Sequence, residues 1–344
     1  MQERQHIVLA SRPNGIPTLE NFALETTPLP ECADGEVLVK MHYFSLDPYM
    51  RGRMDDTKSY AKPVGINETM EAEAVGTIVT SRSSHFQEGD MVVGRFGWTT
   101  HGVLPAEKIR RINPDDAPIS TSLGVLGMPG FTGWFGLNIH GRPQKGETLV
   151  VGAASGAVGS MVGQLAKIYG LHVVGVAGGP EKCAFVTEQL GFDACIDHRQ
   201  MKNADEMHKA LSDACPHGID IYYENVGGVT MEAAMGLMNR GGRVPVCGMI
   251  SFYNLGGLGL GGMTGIDRLP KIWRSILVNQ LSINGFIISN HYDHFPRFHE
   301  EVLGYINSKQ LIYKEDIAQG IAQSPDAFLG LLQGKNFGKQ LVAL

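Results

Sequence analysis

Apolar positions along this chain follow two rhythms. Up to about Leu123 they come in short runs broken by turns: QHIVLA, FALETTPLP, GEVLVKMHYFSL, EAVGTIVTS and GDMVVGRFGW. Runs this short, spaced roughly ten to twenty residues apart, predict an all-β module such as a small barrel. Asp34-Gly35 and Gly89-Asp90 supply turn chemistry for it. The stretch LGVLGMPGFTGWFGLN, from Leu123 to Asn138, is rich in glycine and aromatics and reads as a helical crossover. Beyond it, apolar runs alternate with amphipathic stretches. Strands TLVVG, LHVVGVA, ACID, GIDIYYENVG and RVPVCGMI are separated by helices AVGSMVGQLAKIYG, EKCAFVTEQLG, ADEMHKALSDA and TMEAAMGLMNRGG. That alternation predicts an α/β fold built on a doubly wound parallel sheet. Helix KIWRSILVNQ, strand LSINGFII and amphipathic helix HYDHFPRFHEEVLGYINSKQ follow, and the final strand QLVAL is placed to return to the first module.

The sharpest stretch is Thr148 to Gly163. Leu149, Val150 and Val151 suit a strand buried on both faces. Gly152, Gly156 and Gly159 then fall at the spacing GxxxGxxG, with Gly163 continuing the close-packing edge. Lacking side chains, they let the backbone turn sharply, let a diphosphate approach the amides, and let the helix sit close to the sheet. The helix begins near Ala157, and its positive end faces the turn where a pyrophosphate would rest. A second strand from about Leu171 to Ala177 completes the βαβ unit.

The tip of that second strand reads Ala177, Gly178, Gly179, Pro180, Glu181, Lys182. An NAD site carries an acid there for the ribose 2′-hydroxyl, and none stands at this tip. Lys182, on the first turn of the next helix, is within reach of a 2′-phosphate, which favours NADP. Its plain alternative is a solvated surface lysine.

Other features admit two readings. SLDPYMRGRM, Ser45 to Met54, gathers Asp47, Tyr49, Arg51 and Arg53 in a helix-like turn that either faces a ligand or forms a surface helix with paired arginines. The glycine cluster from Ser251 to Gly265 is a mobile lid or a loose connection. His291, His294 and His299 have no converging ligand set, so they read as a solvated helix terminus and not a metal site.

Composition narrows the partners. With 29 basic and 35 acidic residues the net charge is -6, which gives no field for nucleic acid or an anionic membrane. No apolar run approaches a membrane span, and MQERQHIVLASRPNG lacks a leader, so the expected location is the cytoplasm. The five cysteines, Cys32, Cys183, Cys195, Cys215 and Cys247, show no CxxC spacing and read as reduced thiols.

The succession MPGFTGW, VGAASGAVG, AGGPEK, ENVGG and CGMISFYN, after a β module containing DPYMRGRM, resembles the zinc-independent medium-chain dehydrogenase/reductases. It is most similar to their leukotriene B4 dehydrogenase, prostaglandin reductase and double-bond reductase branch. The resemblance implies a GroES-like catalytic domain at residues 1–124 and 312–344 and a Rossmann NADP-binding domain at 125–311. Where zinc-dependent members carry a histidine-glutamate pair, this chain has ETMEAEAVG, with Glu71 and Glu73 but no histidine, and no four-cysteine lobe. No metal is therefore expected. The resemblance also implies that Gly156, Ala157 and Val158 approach the pyrophosphate of NADPH, with Gly152, Ser155 and Gly159 also at cofactor-binding positions. Gly179 and Lys182 match the 2′-phosphate end. Met128, Thr132, Asn225, Cys247, Phe286 and Asn336 match further cofactor-contacting positions, and Tyr49 and Met128 line the substrate pocket. A tyrosine common in the family after the third strand is missing here. Ile196, Asp197, His198 and Arg199 stand there, so His198 or Arg199 takes its place at the 2′-phosphate.

The activity implied is NADPH-dependent reduction of the C=C bond of an α,β-unsaturated ketone or aldehyde. Tyr253, also beside the cofactor, would donate to the carbonyl oxygen as it becomes an enolate, either directly or through the cofactor ribose hydroxyl, and water would protonate the α-carbon. Curcumin, its dihydro form and lipid-derived enals all suit such a pocket. A quinone reductase and a non-catalytic NADPH-binding sensor remain as alternatives. The same resemblance implies a homodimer joined through the last strand of the Rossmann sheet.

Overall fold

A computed structural model of the chain describes residues 2–255 and 269–344. Most of the glycine cluster read above as a lid therefore lies outside the described residues. The chain divides into two compact units, one from Met1–Gly127, Tyr253–Gly262 and Glu315–Leu344, the other from Met128–Phe252 and Met263–Lys314. This differs from the sequence division in one respect that matters for the site: Tyr253 goes with the first unit, not with residues 125–311.

The first unit opens with the antiparallel pair β1 (Glu3–Leu9) and β2 (Phe22–Pro28). There follow β3 (Glu36–Ser45), the single turn α1 (Met50–Arg53), β4 (Ala74–Ser81), β5 (Met91–Gly94), β6 (His101–Pro105) and β7 (Ile109–Arg111). β3, ten residues long, serves three neighbours. β4 lies along one edge, while β6 takes the first half of the other edge. Around the resulting bend the apolar positions converge on Trp98, which stacks against Phe22 and Phe44 with ring centroids 5.7 and 6.1 Å away.

In the second unit α2 (Met128–Phe135) precedes β8 (Thr148–Gly152), α3 (Ala157–Ile168), β9 (His172–Ala177), α4 (Pro180–Ala184), β10 (Ala194–Asp197) and α5 (Ala204–Ala214). It continues with β11 (Ile219–Tyr223), α6 (Gly228–Met235), β12 (Met238–Val246), α7 (Leu269–Asn279), β13 (Ser282–Gly285) and α8 (Phe295–Asn307). The strands form one parallel sheet in the order β10-β9-β8-β11-β12-β13. Strand order reverses between β8 and β11, and the crevice beyond the carboxyl ends of those two strands is where such sheets bind ligands.

Three elements differ from the sequence reading. β12 begins at Met238 and includes Asn239-Arg240-Gly241-Gly242, which read as the end of a helix, because the strand shifts register against β11 there. The helix expected over EKCAFVTEQLG is α4 followed by a π-helical turn, Phe185–Gln189. His291 and His294 do stand at the start of α8, but half-buried and not fully solvated. His291 stacks on Phe135 at 4.3 Å and His294 meets the same ring edge-on at 5.3 Å, so apolar contact outcompetes solvent.

The chain then returns to the first unit as β14 (Glu315–Gln319), α9 (Ser324–Leu332) and β15 (Lys339–Ala343). β15 fills the remaining half of the β3 edge, with Leu341 opposite Ser45, and β14 pairs parallel beyond it.

Candidate active site

At the end of β8 the backbone turns through Ala153, Ala154 and Ser155 into α3, whose N-cap is Gly156. The Gly156 amide is bonded back to the Ala153 carbonyl at 2.9 Å, which closes the turn. A Cβ at Gly159 would stand 2.3 Å from that same carbonyl, and one at Gly156 3.1 Å from it. The glycine spacing therefore serves close packing of the helix on the turn. The first amides of α3, from Ala157, Val158 and Gly159, have no intrahelical acceptor by helix geometry. They present a concentrated positive end, the chemistry a pyrophosphate needs.

Basic groups collect at the tip of β9. Gly179 has φ +98°, a backbone angle that favours glycine. A Cβ at Gly178 would meet His198 Nε2 at 2.8 Å and Arg199 Nε at 3.1 Å, so both side chains lie against the tip. Burial pulls the His198 imidazole below the usual histidine value; Arg199 and Lys182 push it the same way, against Asp197. Lys182, His198 and Arg199 thus share one neighbourhood. The nearby acid, Asp197, is turned to the main chain: its Oδ1 accepts from the Gly179 and Arg199 amides at 2.8 and 3.0 Å. Burial opposes its ionisation, but these amides hold its pKa below the ordinary value.

At the tip of β11 the ENVGG turn is held by Glu224, a residue the sequence reading passed over. Its buried carboxylate accepts from the Val226 and Gly227 amides at 2.6 and 2.7 Å, and from the Tyr222 hydroxyl at 3.1 Å. Asn225 Nδ2 donates to the Gly152 carbonyl at 3.0 Å, joining the ends of the two strands that flank the crevice. The only sequence signal for Glu224 is an acid immediately after an apolar strand. Burial raises its pKa despite the amide bonds. The folded state therefore binds its proton more tightly than the unfolded chain. Its contribution to stability is complete below the ordinary carboxylate range and is lost as pH rises through the folded value. Glu224→Gln keeps an acceptor for the amides and flattens that slope, whereas Glu224→Ala orphans two amides at about 1–3 kcal/mol each. Urea unfolding of the parent and both variants from below the ordinary carboxylate range up to neutral pH checks this, and an unshifted Glu224→Ala midpoint would contradict it.

Thr132, Cys247 and Phe286, far apart in sequence, meet around Tyr223. Its hydroxyl donates to the Thr132 carbonyl at 2.7 Å, and it also hydrogen-bonds the Cys247 thiol. Burial pushes that thiol up to about 12. A Cβ at Gly136 would strike both the Tyr223 hydroxyl, at 2.4 Å, and the Phe286 ring, at 2.8 Å. The Thr132 hydroxyl donates to the Met128 carbonyl at 2.7 Å, tying these two site candidates within α2.

In the first unit the predicted residues surround α1. Its arginines are not on a surface, as one reading had it, but buried and paired. Arg51 meets Asp55 at 2.7 Å, and Arg53 meets Glu71 at 2.7 Å while stacking over the Tyr60 and Tyr49 rings. Below them Lys339 donates to Asp47 and to the Leu46 carbonyl, both at 2.8 Å. Burial raises the Tyr49 phenol pKa well above its ordinary value, and Asp47, Glu71 and Glu73 add to this. Asn336 bonds the Gly338 carbonyl at 2.8 Å in the turn before β15. Tyr253, half-buried, lies in the short helix Ile250–Leu255, and its neighbour Asn254 accepts from Arg51 at 3.2 Å.

Two family descriptions match the chain: N-terminal domain of oxidoreductase over residues 5–112, and zinc-binding dehydrogenase over 157–303. Among the described residues no group of three or more His, Cys, Asp or Glu is placed to hold a metal ion. The chain is 45% identical over 342 residues to the NADPH-dependent curcumin reductase of Escherichia coli, covering 99% of this chain and 97% of that one. It is 36% identical over 344 residues to the NADP(+)-dependent 2-alkenal reductase of Nicotiana tabacum, covering 98% and 96%. The crystal structure of CurA from Vibrio vulnificus in complex with NADPH superposes with a TM-score of 0.92 at 45% identity, covering 98% of each chain. A β-rich unit joined to this parallel sheet, with these likenesses, defines a medium-chain dehydrogenase/reductase. Within that superfamily the chain belongs to the double-bond reductase branch that holds curcumin reductase, 2-alkenal reductase and prostaglandin reductase 1.

Proposed function

We propose that this protein uses NADPH to reduce the C=C bond of α,β-unsaturated ketones and aldehydes, curcumin-type enones among them. The observation that carries the reading is the full-length likeness to the curcumin reductase of Escherichia coli. The groups at the β8 and β9 tips fit the cofactor. The α3 amides suit its pyrophosphate, and Lys182, His198 and Arg199 suit a 2′-phosphate at a strand tip whose nearby acid, Asp197, is bonded to main-chain amides. Thr132, Cys247, Phe286 and Asn336 are assigned to the remaining cofactor contacts, with Tyr49 and Met128 in the substrate pocket. When bound, NADPH supplies a hydride for the β-carbon. The protein's task is then to receive the charge that moves to the carbonyl oxygen. Tyr253 donates a hydrogen bond to that oxygen, and water protonates the α-carbon, so no strong acid is needed. Mixing the protein with NADPH and a panel of enones, enals and quinones tests the reading. Loss of NADPH absorbance with the enones supports it; turnover of quinones alone, or of nothing, would replace it with a quinone reductase or a sensor.

The same reading makes the protein a cytoplasmic homodimer. Supporting this are five unpaired cysteines, an edge strand in β13, and an apolar face on the neighbouring α7 where Trp273 is 61% and Leu277 79% exposed. Trp273→Asp with Leu277→Asp is expected to halve the mass measured by light scattering. A parent protein already monomeric would refute the dimer.

A further inference from the structure

Arg51 has more partners than charge balance requires. It sits in a helix of one turn, yet its side chain is fully buried. Nη1 donates to Asp55 at 2.7 Å, Nη2 to the Gly15 carbonyl at 2.7 Å, and Nε to Asn254 Oδ1 at 3.2 Å. Asp55, four residues away, answers the charge. Gly15 and Asn254 are neutral and lie 36 and 203 residues away, so what those bonds fix is position. The guanidinium is planar, with donors in a rigid fork, so three acceptors on it hold fixed directions relative to one another. A Cβ at Gly15 would stand 4.0 Å from the Asn254 carbonyl, which puts the Gly15 loop against the Asn254 main chain as well. Asn254 is thus held through its side chain, with the Gly15 loop close to its main chain, and Tyr253 is the next residue back along the same short helix.

We propose that Arg51 is a positioning residue that acts through Asn254 to set where the Tyr253 phenol stands. The proposal rests on Tyr253 being the donor to the enolate oxygen. A hydrogen-bond donor displaced by even 1 Å loses much of its effect in the transition state. The tether therefore acts on turnover more than on cofactor binding.

Arg51 is too deeply buried for its own replacement to be informative, since that replacement would break a buried ion pair and disturb the fold around it. Asn254 carries the test instead, in the full chain with NADPH and 3-nonen-2-one. Asn254→Ala is expected to lower kcat about tenfold with KM for NADPH unchanged, and to speed amide hydrogen exchange across residues 250–255. Asn254→Asp is expected to restore both, because a carboxylate accepts from the same guanidinium nitrogen. Unchanged exchange and unchanged kcat in Asn254→Ala overturn the proposal, as does a loss that Asn254→Asp fails to restore. Tyr253→Phe, measured alongside, separates the two readings. Faster exchange in Asn254→Ala with full kcat in both variants supports the tether and overturns the phenol as donor.

Discussion

Replacing Tyr253 by Phe is expected to lower kcat for an enone about 10²-fold, close to 3 kcal/mol of lost transition-state stabilisation, while NADPH binding changes little. The asymmetry follows from when the charge is present. The ground-state carbonyl is neutral and gains little from a phenol, whereas the oxygen carries a nearly full charge once hydride has reached the β-carbon. Phe keeps the ring and its contact area and removes one donor, so a loss confined to kcat isolates the hydrogen bond. Steady-state kinetics with NADPH and one enone check this. Equal kcat in parent and variant would leave Tyr253 as a packing residue and send the search for the donor elsewhere.

Lys182→Ala is expected to raise KM for NADPH about 10- to 100-fold and to leave KM for NADH nearly unchanged. A charge-assisted bond contributes about 1.5–3 kcal/mol, and each 1.4 kcal/mol is tenfold. The discrimination is local to the β9 tip. An NAD site has a carboxylate there that accepts from the 2′-hydroxyl and repels a phosphate. Here the tip is Gly178-Gly179, the closest acid spends its oxygen on two main-chain amides, and His198 and Arg199 stand against the glycines. Arg199→Ala is expected to act in the same direction. Equal losses for the two cofactors in Lys182→Ala would show that the lysine serves the fold or the pyrophosphate and not the 2′-phosphate.

The elements that the sequence made legible are those whose cause is local. The β8–α3 turn was readable because an apolar strand, glycines at fixed spacing and a helix occur within sixteen residues, Thr148 to Gly163. The basic set at the β9 tip was partly readable, since Lys182 follows that tip directly, but His198 and Arg199 reach it only because β10 pairs alongside β9. What stayed hidden has distant causes. Glu224 looks like an ordinary acid until the turn after β11 brings two amides onto it. The arginines of α1 read equally as ligand-facing or surface groups, and only the fold shows them buried and paired with Asp55 and Glu71. The glycine pair in β12 imitates a helix end because a strand that shifts register there can accept it.

The three-way pairing of β3 also fixes an order of events during synthesis. Half of one edge of β3 is completed by β15, so a strand finished by residue 45 waits for residues 339–343 before its ladder closes. The β8-to-β13 sheet needs nothing after residue 285 to pair all its strands. On the ribosome the cofactor-binding sheet can therefore assemble while the first module still presents an unpaired strand edge, and that edge is the nascent chain's point of exposure to misassembly.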